Sequence, residues 1–131
     1  MSLLPKHNGD KITLGEHQFE TLVAVSDEEQ AIGLMFQKWP PPIMTFPFAK
    51  RSVRKFWMKN TPSPLDIVFV RANEIVGIET GEPMSTRCVG PDQPVDLVVE
   101  LPAGTCEAKG ITVGQLVKPK FSIQTVARNL I

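Results

Sequence analysis

The side chains best suited to chemistry crowd into eleven residues, Phe56-Trp57-Met58-Lys59-Asn60-Thr61-Pro62-Ser63-Pro64-Leu65-Asp66. Trp57 offers a stacking face, Lys59 a cation, Asn60 an amide, Thr61 a hydroxyl and Asp66 a carboxylate. Glu100 adds a second carboxylate inside the apolar run Val95 to Leu101. An aromatic face beside a few convergent polar groups is the usual content of a small-molecule pocket. Trp57, Lys59, Asn60, Thr61, Asp66 and Glu100 are therefore the candidate ligand-binding residues, and no residue is singled out as catalytic. A carboxylate in an apolar strand must be paired or hydrogen-bonded, because burying it alone costs several kcal/mol. Two readings of Asp66 follow. It lines a pocket with Trp57, Lys59 and Asn60, or it accepts hydrogen bonds that tie down the Asn60–Pro64 turn and needs no ligand. If the strands bearing Asp66 and Glu100 are neighbours, the pair could also do acid–base chemistry or bind a cation.

The elements that must position these groups read mainly as strands. Val53 to Lys59 is expected as a strand, with Trp57 and Lys59 on one face and Phe56, Met58 and Asn60 on the other. Pro62 and Pro64 hold Thr61 and Ser63 extended. Leu65 to Val70 is apolar on both faces, which predicts a central strand carrying Asp66. Ala72-Asn73-Glu74 turns the chain into a hairpin partner, Ile75 to Glu79. Gly81 to Pro94 is a polar loop, and Val95 to Leu101 is another strand, bearing Glu100. Upstream, Lys11–Leu14 and His17–Val25 suggest a hairpin about Gly15-Glu16. Downstream, Thr105–Lys109 reads as a brief helix stopped by Gly110. Ile111–Val117 reads as turn then strand, and Phe121–Val126 as an edge strand or a loose tail.

One helix start is explicit. Ser26 can cap it and Glu29 completes a capping box. Ala31, Leu34 and Met35 then form a short core-facing stripe, and Gly33 marks close packing or fraying near the end. The prolines after Trp39 stiffen a connector, or a rim that presents Trp39 to a ligand. Lys50, Arg51, Arg54 and Lys55 are a solvated basic loop or an anion site. Met35, Met44, Met58 and Met84 lack clustered metal spacing and read as gap fillers.

Several functions lack support. There is no nucleophile elbow, P-loop or dinucleotide glycine pattern. Cys88 and Cys106 have neither CxxC spacing nor a histidine cluster, which favours free thiols; a single disulfide stays open for an exported protein. No cofactor or metal is expected. With 14 basic and 14 acidic residues, charge gives no argument for nucleic acid. No apolar run approaches the roughly 20 residues of a membrane span. The start, Met1 to His7, has no apolar leader core. The chain is cytoplasmic as written, or periplasmic or secreted if a native signal peptide was removed. At 131 residues one domain is expected over 1–131, with a core from about 11 to 118 and an extension over 119–131.

The central stretch, Phe56-Trp57-Met58-Lys59-Asn60-Thr61 followed by Pro64-Leu65-Asp66-Ile67, resembles the signature of the domain of unknown function 192 family, also called uncharacterised protein family 0127. Gly33-Leu34-Met35-Phe36, Glu100-Leu101-Pro102-Ala103-Gly104 and Gly110-Ile111-Thr112-Val113-Gly114 resemble its other motifs, in order, over roughly residues 17 to 118. Gln115 departs from the aspartate the family often has, and the chain lacks the family's usual loop tyrosine. The resemblance implies a compact, mainly antiparallel fold and a bacterial or archaeal source, with an export signal in many relatives. Together with the strand pattern it predicts an α+β fold with a strongly curved or barrel-like sheet and one or two short helices. Three functions remain open: a small accessory or ligand-binding module with a pocket near Trp57–Asp66, a hydrolase-like enzyme using Asp66 and Glu100, or a structural or protein-interaction domain. The partner is a small molecule or a protein, and nothing in the pattern speaks to oligomeric state.

Overall fold

The computed structural model describes residues 3–129. Among these residues eight strands and three short helices follow the order β1 (Lys11–Leu14), β2 (His17–Glu20), β3 (Leu22–Val23), α1 (Asp27–Ile32), β4 (Met44–Val53), β5 (Leu65–Arg71), β6 (Glu74–Gly81), β7 (Pro94–Pro102), α2 (Thr105–Lys109), β8 (Val117–Lys120) and α3 (Ile123–Asn129). The strands form two sheets, ordered β2-β1-β8 and β3-β4-β7-β5-β6. All pairings are antiparallel except β3 with β4. The class is α+β, as expected, but the sheets do not close into a barrel.

The split into two sheets begins at Thr21. The expected continuous strand from His17 to Val25 breaks there, and its last residues join the larger sheet. The Thr21 hydroxyl meets the Thr45 hydroxyl at 2.9 Å and also donates to the Leu22 carbonyl at 2.8 Å, so this buried turn leaves its polar group satisfied.

The larger sheet carries a core on each face. Val68, Val70, Leu97, Val99 and Leu101 pack with Ile12, Leu14 and Val117 of the smaller sheet. Met44, Phe46, Leu65, Ile67, Phe69 and Val98 point the other way, toward Leu34 and Met58. Burying one such side chain fully is worth about 1.5–3 kcal/mol. β5 is buried from Leu65 to Val70, which explains its apolar reading on both faces. The turn to β6 uses Ala72 (φ 50°) and Asn73 (φ 64°), a left-handed pair whose twist suits a two-residue hairpin.

Three local readings need correction. The strand expected over Val53–Lys59 lies earlier, at Met44–Val53; residues 54–64 are irregular apart from a bridge between Phe56 and Val89. Pro47 is tolerated inside β4 because β3 pairs only as far as Thr45, so no ladder bond is lost there. The Pro47 carbonyl instead accepts from Gln30 Nε2 at 2.9 Å. In α1 the capping box forms as expected, but no helical residue is buried; Ala31 is exposed and the anchor, Leu34, lies beyond the helix end. Last, Phe121–Val126 is neither an edge strand nor a tail, because α3 begins at Ile123. Asp10 draws it in, accepting from the Ser122 N–H and the Thr125 hydroxyl at 2.6 Å each, and Arg128 pairs with Glu29.

Candidate functional site

α1, β4 and the irregular 54–61 segment enclose a cleft of about 290 Å³ on the Met44–Phe46 face of the larger sheet. Local geometry shapes its walls. Gly33 ends α1 at φ 51° and ψ −126°, a conformation suited to glycine, and turns Leu34 and Met35 over the cleft. A Cβ on Gly33 would stand 3.5 Å from the Phe46 ring. Phe46, Phe48 and Phe69 surround Phe56 edge-on, with centroids 5.2, 6.5 and 5.9 Å away. Such pairs add about 0.5–1.5 kcal/mol beyond their burial. Arg54 lies 4.0 Å over the Phe48 ring, and its Nη2 donates to the Lys50 carbonyl. Its Nε is buried with no partner among the described residues.

Glu100 lines the inner part of this cleft and is only 4% exposed. In the sheet it stands between Met44 of β4 and Ile67 of β5, both apolar. Its carboxyl has no hydrogen-bond partner among the described residues. Burial alone pushes it up from 4.5 to about 8, so it is largely protonated at neutral pH.

The structure brings together four of the six expected residues. Trp57, Lys59, Thr61 and Glu100 all line the cleft. Trp57 is 45% exposed at the mouth, and Lys59 Nζ lies 5.3 Å from its ring centroid. The alternation expected of a strand survives locally without one: Trp57 and Lys59 face out while Met58 is buried. The Thr61 hydroxyl donates to the Lys59 carbonyl at 3.0 Å, which holds the turn.

Asn60 and Asp66 lie outside the cleft lining. Asn60 adopts φ 54°, and its carbonyl accepts from the Phe36 N–H at 2.8 Å, which fastens the segment after α1. Asp66 pairs in register with Leu101, one residue away from the Ile67–Glu100 pair. Alternation therefore sends Asp66 and Glu100 to opposite faces of the sheet. The strands are neighbours, yet no carboxylate pair is assembled. Nor does Asp66 hold the Asn60–Pro64 turn. Its Oδ2 accepts from the Cys106 N–H at 2.9 Å, fixing the start of α2.

The other candidates disperse. Arg51 pairs with Asp96 at 2.9 Å and Lys55 with Asp92 at 2.6 Å, so the basic run is not one anion site. The Lys55 hydrogen bond and charge hold the Asp92 carboxyl below its usual value. Trp39 is exposed and lies outside the cleft lining. Met44 and Met58 fill the core. Cys88 is exposed, Cys106 is buried, and both are free thiols. Among the described residues no group of three His, Cys, Asp or Glu could hold a metal, and no helix is long and apolar enough to cross a membrane. The aromatic wall from β4 is not among the expected site residues, and Arg54 enters only as part of the basic cluster. The wall's signal was the Met44, Phe46, Phe48 alternation, masked by the intervening Pro47.

A family model named DUF192 and described as uncharacterised ACR matches residues 10–119. A solved protein of unknown function from Novosphingobium aromaticivorans shares 29% identity at a TM-score of 0.76, covering 82% of this chain and 83% of its own. A solved protein from Sinorhizobium meliloti, titled a putative transcription regulator, shares 30% identity at a TM-score of 0.75, covering 84% and 91%. No match to a curated protein reaches significance.

Proposed function

This chain belongs to the DUF192 family, and we propose that it is a ligand-binding module that takes a small amphipathic molecule into the cleft beneath α1. One observation carries the reading: Glu100 is almost wholly buried at the inside of that cleft with no hydrogen-bond partner among the described residues. A buried polar group normally has its partner. No protein group among the described residues meets the Glu100 carboxyl, whose oxygens open to the cleft, where a ligand's polar group can reach them. The walls supply the apolar contact, through Leu34, Phe46 and Phe56, and Trp57 lies at the entrance. Asn60 and Asp66 then serve the fold, one through its backbone and the other through α2.

A fragment screen against isotope-labelled protein tests this. The Trp39→Phe variant leaves Trp57 as the sole fluorophore for a parallel titration, since the chain has two tryptophans. Hits are expected to shift resonances of Leu34, Phe46 and Glu100 together and to change Trp57 emission. A screen whose hits leave those three residues unmoved would remove the cleft as the site.

A further inference from the structure

We infer that the ligand is an amphipathic anion: its inner end carries an amide-like donor–acceptor pair that hydrogen-bonds the Glu100 carboxyl, and its anionic group stays at the mouth beside Lys59. This rests on the binding-module reading and adds the ligand's chemistry to it.

The charges around the cleft decide the orientation. Its lining holds three cations, Arg54, Lys55 and Lys59, and one acid, Glu100. Lys55 is engaged by Asp92. Among the described residues Lys59 meets the Trp57 ring and no carboxylate, and Arg54 meets the Phe48 ring and a backbone carbonyl. The mouth therefore keeps positive charge for a ligand anion. The inner end offers no such charge. Met44 and Phe46 face Glu100's side of the sheet from β4 and Ile67 from β5; Glu79 of β6 lies one strand further, opposite Ile67. Gln30 is the polar side chain that α1 gives to the lining, and its amide nitrogen already donates to the Ala24 and Pro47 carbonyls.

A carboxyl so placed holds its proton at neutral pH. A protonated carboxyl presents one donor and one acceptor on the same edge. A primary amide, a lactam or a heterocycle edge is its complement. An organic ammonium is the weaker match, because the lining already holds Lys59 and Arg54 without a carboxylate and its one acid is neutral. The aromatic walls between the two ends suit a flat or apolar body.

Three probes test the assignment by chemical-shift titration at pH 6.5 and 9.5: 3-(4-carbamoylphenyl)propanoate, 3-(4-methylphenyl)propanoate and 3-phenylpropylamine. At pH 6.5 the amide probe should bind roughly tenfold tighter than the methyl probe, the yield of one well-made hydrogen bond. At pH 9.5 Glu100 has lost its donor, so the bond to the amide carbonyl goes while the amide N–H still donates to the carboxylate; the methyl probe reports any change at the lysine rim separately. Glu100→Gln keeps a donor and an acceptor, so the variant should retain the advantage at both pH values. Lys59→Met should weaken both anionic probes and leave their ratio unchanged. If the amine binds best and Glu100→Gln abolishes its binding, the ligand is a cation; the anion assignment falls and the module reading stands. If no probe moves the cleft resonances, the anion assignment falls, and the fragment screen decides the module reading on its own.

Discussion

Replacing Glu100 with glutamine should stabilise the protein, by an amount set by pH. The Glu100 carboxyl is buried against apolar neighbours and is pushed from 4.5 to about 8. An acid raised in this way holds its proton more tightly folded than unfolded. Well below pH 4.5 both states are protonated and ionisation contributes nothing. As pH climbs toward 8, the unfolded chain ionises first, and each unit removes up to about 1.4 kcal/mol of stability. By pH 7 the loss sums to roughly 3 kcal/mol. Glutamine has nearly the same shape and cannot ionise, so Glu100→Gln recovers that amount at pH 7 and nothing at pH 4. For a chain of this size the gain corresponds to roughly 10 °C in melting temperature. Urea unfolding followed by circular dichroism, from pH 4 to 9 on both proteins, gives the difference curve. It should start near zero, rise through the acid range and level off above pH 8. A difference that stays flat from pH 5 to 8 would show that the carboxyl titrates normally, and the buried, partnerless Glu100 would have to be abandoned.

Two further predictions concern the opposite face of the sheet. Asp66→Ala removes the acceptor for the Cys106 N–H, which should cost about 1–3 kcal/mol in thermal unfolding and leave probe affinity unchanged. Matched losses of stability and affinity would contradict the placement of Asp66 away from the cleft. Thiol titration with an aromatic disulfide should find one fast-reacting group, Cys88, in the native protein and a second only on unfolding. Cys106 is buried, and its thiol is pushed up to about 12 by that burial, with Asp66's charge and hydrogen bond adding to it. Two fast equivalents in the folded state would refute that.

What the sequence made legible was local. The Ser26 capping box depends on residues three apart and forms as written. β5 and β7 show as apolar runs, and the Ala72-Asn73 turn as a residue pair. Elements that depend on a distant partner were hidden. β4 passes through Pro47, and only the end of β3 at its flank makes that proline harmless. α3 closes against Asp10 and Glu29, more than 90 residues away in the chain, as the 115-residue and 99-residue separations of these contacts record. The two carboxylates show the limit most clearly. Alternation tells which residues of one strand share a face, but it cannot tell how two strands are staggered. Glu100 falls opposite Ile67 and not opposite Asp66. A shift of one residue would have put both acids on one face and made acid–base chemistry the natural reading. The actual stagger gives Asp66 a backbone donor from α2 and turns Glu100 to the cleft, so two residues that look equivalent in sequence divide into one that holds the fold and one whose carboxyl has no hydrogen-bond partner among the described residues.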